Sequence, residues 1–443
     1  MEQKRKRKTG WARWYILTLI SLMYLVTYVD RVNIAAAAPM IMTEFHFSKI
    51  TMGIIFSAFV WAYAIFQVPG GWMGDRFGPH KVLASIVAYW SLMTALTARA
   101  IGLGSFTVIR FLFGIGEAGA FPTATRAMQL WHPREERGFA QGITHSASRF
   151  GAAIAPPISV SLMLAYGWRS IFYVFGVVGV VWSVLWFLSY RNMPEEHKLV
   201  SQGELAYIRG TDENGEIKQL KLKKRPTVPW GTLLRSPNMW AIMCAYFTYL
   251  YSLWIFLTWL PSYLVEYRHF TLIKMGYFAS LPLFAGVIGD TVGGWATDYI
   301  MVKTGKTNFS RRVVAVTGML GCVAFIVPAA LTTSPYTAIY CLTGAMFFLE
   351  CTIGPAWAVP MDVGGEYSGT VSGMMNMAGN IGGALSPTIF GILVQSGSWI
   401  APFIVAAVLL VFGAAIWAFW LKPDVSVIEK GVFAGRASVA RIG

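Results

Sequence analysis

Long apolar segments separated by short polar connections make up almost the whole chain. A membrane-spanning helix needs about 20 mostly apolar residues. Segments of this kind lie at 13–41, 50–72, 82–102, 104–130, 139–165, 169–190, 238–265, 275–301, 311–333, 335–360, 367–394 and 398–421. The last two are the clearest, because no Asp, Glu, Lys or Arg occurs between Tyr367 and Leu421. The pattern predicts an all-α polytopic membrane protein with about twelve transmembrane helices.

The longest polar stretch, 191–236, lies in the middle of this pattern, with half of the predicted helices on either side. Its mixed charges, as in "GTDENGEIKQLKLKKRP", are typical of a solvated linker. The predicted organisation is therefore an N-terminal six-helix half at 1–190, a cytoplasmic linker at 191–236, a C-terminal six-helix half at 237–421 and a cytoplasmic tail at 422–443.

Three short motifs of the first half recur in the second, each about half a chain later. "GGWMGD" returns as "GGWATD"; "GEAGAFPTATRAM" aligns with "LECTIGPAWAVPM", which matches Glu117 with Glu350; and "RFGAAIAPP" aligns with "NIGGALSPT". We infer two parallel copies of one six-helix unit. Such an architecture places a substrate site between the halves, near the middle of the membrane.

Composition and charge agree with this architecture. Hydrophobic residues make up 56% of the chain and charged residues 13%, with a mean hydropathy of +0.54, whereas roughly a quarter of the residues in soluble domains are charged. The net charge of +15 could indicate nucleic-acid binding. If the N-terminus is cytoplasmic, however, most Lys and Arg residues fall on cytoplasmic connections, and those outside are Lys49, Arg99, Arg169, Arg268 and Lys274. The positive-inside rule accounts for this distribution, so we expect a membrane protein with both termini cytoplasmic and no nucleic-acid partner.

Neither a metal site nor a cofactor is predicted. The four Cys residues lie in apolar runs without paired spacing, which suggests neither a disulfide framework nor a zinc site. The sequence has no Walker phosphate loop and no nucleophile elbow, so it indicates neither an ATP-driven pump nor an enzyme. One chain suffices to build a transport pathway, and we expect a monomer surrounded by membrane lipid.

Five short motifs resemble one family of membrane transporters. "GGWMGDRFGPHK" at 70–81 resembles the loop signature of the major facilitator superfamily, although Pro79 replaces the usual basic residue after its last Gly. "YVDR", "RFLFGIGEAGAFP", "TWLPSYL" and "NMAGNIGGALSP" together resemble the anion:cation symporter branch. That branch includes bacterial galactonate, hexuronate and glucarate transporters and the animal organic-anion and phosphate transporters. The resemblance implies the major facilitator fold, with two six-helix halves related by a pseudo-two-fold axis, and transport by alternating access.

Asp30 and Arg31 stand side by side in the first apolar segment, in "TYVDRVNIA". Charges at this depth cost about 3 kcal/mol or more and usually face a cavity or a partner. The guanidinium fork of Arg31 suits a substrate carboxylate, and the resemblance implies the same role. Tyr28, one turn earlier, could add a hydroxyl, and Asp30 could be a second proton acceptor. The alternative is that Asp30 and Arg31 only neutralise each other.

Arg110 and Glu117 lie two turns apart on one face of the fourth predicted helix. A carboxylate in a low-dielectric cavity resists ionisation, whereas a nearby arginine favours it. A carboxylate balanced in this way can exchange a proton as the cavity opens to either side. The resemblance implies that Glu117 is the proton-coupling site and Arg110 its partner. The alternative is a permanently ionised structural pair.

His145 and Arg149 lie one turn apart on the fifth predicted helix, in "THSASRFGAAIAP". Arg149 stands where relatives often carry a neutral hydrogen-bonding residue. A second buried cation would suit a substrate with two carboxylates, such as an aldarate, or a bulkier anion. The alternative is that Arg149 pairs with Asp290, Glu350 or Glu117.

Ser372, Asn376 and Asn380 recur every fourth position on the eleventh predicted helix and form a polar stripe in a segment without charges. Hydroxyl and amide groups at this spacing suit a polyhydroxylated ligand or, alternatively, hydrogen bonds between helices. On the second predicted helix, Tyr63 resembles a tyrosine of the family's substrate cavity, and the alternative is a lipid-facing aromatic residue.

Asp75 and Arg76, with Asp298 as the repeat counterpart of Asp75, are predicted to form a cytoplasmic latch rather than to bind substrate. Together these features predict proton-coupled import of an organic anion, and they favour a sugar acid: a hexonate, hexuronate or aldarate. The resemblance to bacterial transporters implies that the protein lies in the bacterial inner membrane. One alternative is exchange or export of an organic phosphate or an aromatic acid, which would not need a protonatable Glu117. The other is an anion sensor that moves nothing across the membrane.

Overall fold

Each apolar segment of the sequence is helical over most of its length in the structure. The structure, a computed structural model, describes residues 10–133, 136–211, 230–364 and 367–427, and the side chains of Asp75 and of 137–139 lie outside this description. The first half contains α1 (Ala12–Phe45), α2 (Lys49–Phe77), α3 (Pro79–Thr97), α4 (Leu103–Ala118), α5 (Ala120–Trp131), α6 (Arg137–Tyr166) and α7 (Arg169–Ser189).

A turn of 3₁₀ helix (Pro194–Glu196) and α8 (Gln202–Arg209) follow. The second half contains α9 (Trp230–Arg235), α10 (Pro237–Thr258), α11 (Leu272–Thr304), α12 (Thr307–Leu331), α13 (Pro335–Cys351), α14 (Ile353–Gly364), α15 (Ser368–Gln395) and α16 (Ala401–Ala415). π-helical turns at Tyr263–Tyr267 and Ile416–Trp420 lie in the segments that follow α10 and α16.

Eleven helical segments of the described chain are long and apolar enough to cross a membrane, with α4–α5 and α13–α14 each counted as one. The remaining predicted span is α3, which has 19 residues and ends at Thr97, earlier than predicted. His80 and Lys81 lie at its start. The apolar pattern predicts these helices because a bilayer offers no water to backbone groups, which must therefore pair within the segment.

Two predicted spans are interrupted at equivalent places in the repeat. The segments predicted as continuous at 104–130 and 335–360 break at Gly119 and Thr352. Each break comes one turn or less after a glutamate that the repeat aligns, Glu117 or Glu350. The sequence comparison matched these glutamates but did not indicate that the helix ends beside them.

Glycines of the repeated "GGW" motif lie against both breaks. A Cβ at Gly70 would lie 2.5 Å from the Cα of Gly119, and a Cβ at Gly354 would lie 2.7 Å from the Cα of Gly294. α2 therefore meets α4–α5, and α11 meets α13–α14, backbone to backbone, an approach that small residues permit. At these positions the motif serves helix packing.

Contacts divide the chain into two compact units. The first is Met1–Met40 with Ala58–Arg225, and the second is Ile41–Ser57 with Pro226–Gly443. The end of α1 and the start of α2 thus belong with the second unit, where the hydroxyls of Ser57 and Thr388 hydrogen-bond at 2.8 Å and Lys49 forms an ion pair with Glu266. The sequence repeat did not indicate this assignment of 41–57.

Residues 191–211 of the predicted linker are structured and belong to the first unit, whereas 230–236 belong to the second. Arg13, at the start of α1, forms ion pairs with Glu136 at 2.9 Å and with Glu204 of α8 at 3.2 Å. Glu204 also accepts the backbone N–H of Arg13 at 3.1 Å, and so satisfies one of the amide groups that a helix start leaves without a partner. Charge pattern alone did not predict this docking, because it joins residues far apart in the chain.

Candidate functional site

The neighbours Asp30 and Arg31 point to different partners. Both are buried in α1, and successive helix positions are rotated by about 100°. Arg31 Nε donates to Glu117 Oε1 of α4, 86 residues away. Asp30 lies beside the indole of Trp90 on α3 and interacts electrostatically with Arg110 and Glu117. Within the described residues Asp30 and Arg31 form no ion pair with each other, so mutual neutralisation does not explain them.

Aromatic rings surround the Arg31 guanidinium on several sides. Its Cζ lies 4.8 Å from the ring centroid of Tyr28, 4.7 Å from that of Tyr63, 5.6 Å from that of Phe59 and 5.3 Å from that of Phe121. These are cation–π distances. Tyr63 is 3% exposed, so it faces Arg31 rather than lipid. The rings therefore surround the guanidinium, and Tyr63 also interacts with Arg31 through its hydroxyl.

Two atoms of this pair keep unused hydrogen-bonding capacity. Arg31 Nη2 and Glu117 Oε2 are both buried, and neither forms a hydrogen bond with any residue that the structure describes. A guanidinium has five donors and an ionised carboxylate accepts at both oxygens. The geometry therefore leaves the Nη2 amino group of Arg31 available for an anion and the Oε2 oxygen of Glu117 available for a proton.

Arg110 and Glu117 share a face of α4, as their spacing predicts, but the direct bond of Glu117 goes to Arg31. The Arg110 guanidinium instead lies 5.0 Å from the Phe59 ring centroid and 4.5 Å from that of Phe113. Arg110 interacts electrostatically with Glu117 and Asp30. Two bases and two acids thus form one cluster across α1 and α4.

Arg149 reaches this cluster from α6. It is 7% exposed, and its Cζ lies 5.6 Å from the ring centroid of Tyr28. His145, one turn earlier, lies 3.1 Å from the Gln141 amide nitrogen through Nε2, and its ring meets the Tyr24 ring edge to face at 5.8 Å. The first unit therefore brings Tyr28, Arg31, Tyr63, Arg149 and His145 into one neighbourhood.

The polar stripe of α15 lies in the second unit. Ser372 Oγ donates to the Ser368 carbonyl at 2.8 Å, and Asn380 Nδ2 donates to the Asn376 carbonyl at 2.8 Å. These bonds run along α15 rather than to another helix. Ser372 and Asn376 are half-buried, and Asn380 is buried.

Of the predicted latch residues, Arg76 lies at the end of α2, and Asp298 lies about two turns before the end of α11. Asp298 of α11 forms an ion pair with Arg311 of α12 at 3.0 Å, and Arg311 also pairs with Asp362 of α14 at 3.1 Å. The Arg76 guanidinium lies over the rings of Trp72 and Phe77. The side chain of Asp75 lies outside the described part of the structure.

A model of the Major Facilitator Superfamily matches residues 20–387. The chain belongs to this superfamily. A protein of Cupriavidus necator named as a probable sulfoacetate transporter is 43% identical to it over 433 residues, which cover 98% of each chain. The D-galactonate transporter of Escherichia coli is 32% identical over 402 residues, 90% of this chain and 93% of the other.

Among solved structures, a bacterial homologue of the human lysosomal transporter Spinster, in an inward-facing and occupied conformation, matches with a TM-score of 0.75. Its sequence identity is 16%, and the match covers 93% of this chain and 97% of that chain. The predicted major facilitator fold and the resemblance to bacterial sugar-acid transporters are confirmed. The protein is a multi-pass membrane transporter of this superfamily and not an enzyme.

Sequence reasoning missed several members of these sites. Phe59 and Phe121 face Arg31, and aromatic residues in an apolar segment gave no signal to distinguish them. In the second unit, Tyr249 donates its hydroxyl to the buried Glu350 at 3.0 Å. The repeat, which aligns Glu350 with Glu117, was the available signal for it. In the described part of this major facilitator protein, no group of three or more His, Cys, Asp or Glu could hold a metal ion.

Proposed function

We propose that this protein imports a small organic anion together with protons across the bacterial inner membrane by alternating access. The observation that carries the proposal is the buried pair of Arg31 and Glu117, in which each partner keeps one atom without a hydrogen bond to the described residues. Arg31 would bind the anionic group of the substrate, and Glu117 would take the proton. The curated relatives named as transporters of sulfoacetate and D-galactonate support an organic anion.

Coupling follows from charge balance in the pair. With Glu117 ionised and bonded to Arg31, the pair carries no net charge. A proton on Glu117 leaves Arg31 without a counter-charge, and an anion at Arg31 restores the balance. Either event alone leaves an uncompensated buried charge, and breaking a buried ion pair costs about 3–5 kcal/mol. The empty and the doubly loaded states are thus the ones that can switch, as symport requires.

Asp30 supplies a second carboxylate for protons. It is fully buried, and its Oδ2 forms no hydrogen bond within the described residues. Arg110 interacts electrostatically with both acids. Protonation of one acid would therefore leave Arg110 to stabilise the ionised form of the other. The number of protons carried per anion then depends on whether Asp30 titrates in the same cycle as Glu117.

Two kinds of substrate fit the proposal. A sugar acid would use Arg31 for its carboxylate, as the D-galactonate relative suggests. A short sulfonated acid is the second candidate, because the relative that is 43% identical is named for sulfoacetate. Both are anions that a guanidinium binds through two parallel hydrogen bonds.

The test is uptake into proteoliposomes with and without an inward proton gradient. The panel contains galactonate, gluconate, glucuronate, galacturonate, glucarate and sulfoacetate, each with the native protein, Glu117→Gln and the exposed control Glu196→Gln. We expect gradient-driven accumulation of one class, lost in Glu117→Gln and retained in Glu196→Gln. If the flux depends neither on the proton gradient nor on Glu117, the protein is an exchanger or exporter and not a proton symporter. If the anion binds but is not transported, the protein is a sensor.

We further propose that both termini are cytoplasmic and that the protein works as a monomer. Arg99→Cys and Lys303→Cys, each in a background without the four native Cys residues, test the orientation. Arg99→Cys should react with an impermeant maleimide in intact spheroplasts, and Lys303→Cys only after the membrane is opened. The reverse labelling pattern would mean that both termini lie outside the cytoplasm.

The oligomeric state is tested by uptake at different protein densities. If liposomes that hold one chain each show the same uptake per chain as liposomes that hold several, the protein works as a monomer.

A further inference from the structure

Residues 41–57, which comprise the end of α1 and the start of α2, are bound along the last two turns of α15. We call this segment the outer strap, because the orientation proposed above places Lys49 outside. The Lys49 backbone N–H donates to Gln395 Oε1 at 3.1 Å, and the hydroxyls of Ser57 and Thr388 hydrogen-bond at 2.8 Å. The strap therefore belongs with the second unit, although the rest of α1 and α2 belongs to the first.

Two glycines bring the outer strap and α15 into backbone contact. A Cβ at Gly53 of the strap would lie 2.5 Å from the carbonyl oxygen of Pro387, and a Cβ at Gly391 of α15 would lie 2.4 Å from that of Lys49. Dispersion contacts at such short range are lost when the helices separate by only an ångström or so. An interface of this kind is either closed or open, as a two-position device requires.

An ion pair fastens the outer strap at its middle. Lys49 pairs with Glu266, and the side chains are 21% and 26% exposed, so water reaches both. Lys49 Nζ also lies 5.7 Å from the ring centroid of Trp399. Arg268, two residues after Glu266, donates to carbonyl groups at the end of α12 and holds this part of the chain there. Because a partly exposed pair contributes little stability, Lys49 can leave while Glu266 stays in place.

The outer strap joins the two helices that surround the Arg31 guanidinium. α1 carries Arg31 before the strap begins, and α2 carries Phe59 and Tyr63 within two turns after it ends. The ring centroids of Phe59 and Tyr63 lie 5.6 Å and 4.7 Å from the Arg31 Cζ. Rigid helices transmit a displacement along their length, so a movement of the strap changes the surroundings of Arg31.

α1 has a weak point immediately before the outer strap. Pro39 lies inside the helix, and a proline cannot donate a hydrogen bond to the carbonyl group four residues earlier. Kinks in long helices occur at such positions. The strap can therefore bend at Pro39 while the preceding part of α1, with Arg31, stays in the first unit.

We propose that the outer strap is a lid over the access to Arg31 from outside. Bound to α15 it closes that access. Release breaks the Lys49–Glu266 pair and the hydrogen bond between Ser57 and Thr388, and it lets the anion enter. The proposal rests on anion transport through the Arg31 site, as proposed above, but neither on proton coupling nor on the chemistry of the anion.

A disulfide lock tests whether the outer strap moves during transport. Ser57→Cys with Thr388→Cys, in a background without the four native Cys residues, joins the strap to α15 on oxidation. The control is Ser48→Cys with Thr51→Cys; these hydroxyls also hydrogen-bond, at 2.9 Å, but both lie within the strap. Uptake of radiolabelled galactonate and sulfoacetate is measured before oxidation, after oxidation and after reduction. We expect oxidation to abolish uptake in the first pair, reduction to restore it, and the control pair to transport throughout.

The rate of alkylation of Ser57→Cys tests the ion pair and needs no transport. Ser57 is 4% exposed, so an impermeant maleimide reaches this position only when the outer strap is released. We expect Lys49→Gln to speed alkylation about 2- to 5-fold, the range expected for a partly exposed pair. Lys49→Glu with Glu266→Lys should return the native rate, and the exposed control Lys274→Gln should leave it unchanged.

The outcomes separate this proposal from anion import itself. Full uptake by the oxidised Ser57→Cys/Thr388→Cys protein, with the cross-link verified, would mean that the outer strap does not move and would overturn the proposal. The same alkylation rate in Lys49→Gln and Lys274→Gln, or no alkylation in any variant, would overturn it as well. If the native protein takes up neither anion, import of these anions fails, and the alkylation rates still decide whether the strap opens.

Discussion

The Arg31 guanidinium of α1 and the Glu117 carboxylate of α4 form a buried hydrogen-bonded ion pair that joins two helices of the first unit. Glu117 is fully buried and Arg31 is 7% exposed. Buried pairs of this kind contribute little net stability compared with apolar side chains of similar volume. Their presence at this position is therefore better explained by transport than by folding.

Two substitutions of Arg31 should show how much of the anion affinity comes from its positive charge and how much from its planar guanidinium group. Arg31→Gln removes the cation, and we expect at least a 100-fold loss of anion affinity, about 3 kcal/mol. Arg31→Lys keeps the charge but not the planar fork, so it should recover only part of that loss. Calorimetric titration with the best-bound anion measures both. Native affinity in Arg31→Gln would remove Arg31 from the substrate site.

Tyr63 should act mainly through its ring. Its centroid lies 4.7 Å from the Arg31 Cζ, and a cation–π contact of this kind contributes about 0.5–2 kcal/mol. Tyr63→Phe keeps the ring and should change anion affinity little, whereas Tyr63→Leu should weaken it several-fold, on the order of 3- to 10-fold. If Tyr63→Phe is as damaging as Tyr63→Leu, the hydroxyl rather than the ring is the essential group.

Glycine packing at the first helix break should control stability. A Cβ at Gly70 would lie 2.5 Å from the backbone of Gly119, whereas a Cβ at Gly104, near the start of α4, would meet nothing within 4 Å. We expect Gly70→Ala to destabilise the protein by about 1–3 kcal/mol and Gly104→Ala to have no such effect. Thermal unfolding in detergent compares them. Equal unfolding temperatures for Gly70→Ala and Gly104→Ala would mean that α2 can move away from Gly119 without a loss of stability.

The ion pair between Arg209 and Glu195 should make a pH-dependent contribution to the free energy of unfolding. Arg209 binds Glu195 through Nε at 2.7 Å and through Nη2 at 2.9 Å, and this hydrogen bonding lowers the pKa of Glu195. Because the folded-state pKa lies below the unfolded one, the contribution is present above the ordinary glutamate pKa of about 4.3 and is lost as the pH falls through the folded value. The carboxylate is largely exposed, so the effect should be small.

Thermal unfolding of the native protein and Glu195→Gln from neutral to acid pH tests this sign. The native protein should unfold at the higher temperature near neutrality, and the two midpoints should converge in acid. A difference that persists or grows in acid would contradict the ion pair as its source.

Much of the fold could be predicted from the sequence because the bilayer enforces it. Backbone groups inside a bilayer must be paired within the segment, which favours a helix in every long apolar stretch, so most of the spans followed from the pattern of apolar residues. The repeat correctly aligned Glu117 with Glu350 and both "GGW" motifs. The breaks at Gly119 and Thr352 could not be predicted, because they accompany the backbone contacts of Gly70 and Gly294 with other helices.

The candidate site, like the fold, could be predicted from the sequence only in part. The sequence by itself determined which charged residues are embedded in apolar segments, among them Asp30, Arg31, Arg110, Glu117 and Arg149. It did not determine their partners. Only the tertiary structure decided that Arg31 binds Glu117 rather than Asp30, and that Arg149 shares the ring of Tyr28. The physical reason is that the direction of a side chain depends on how its helix is rotated and packed against others, and contacts between residues distant in the chain set that rotation.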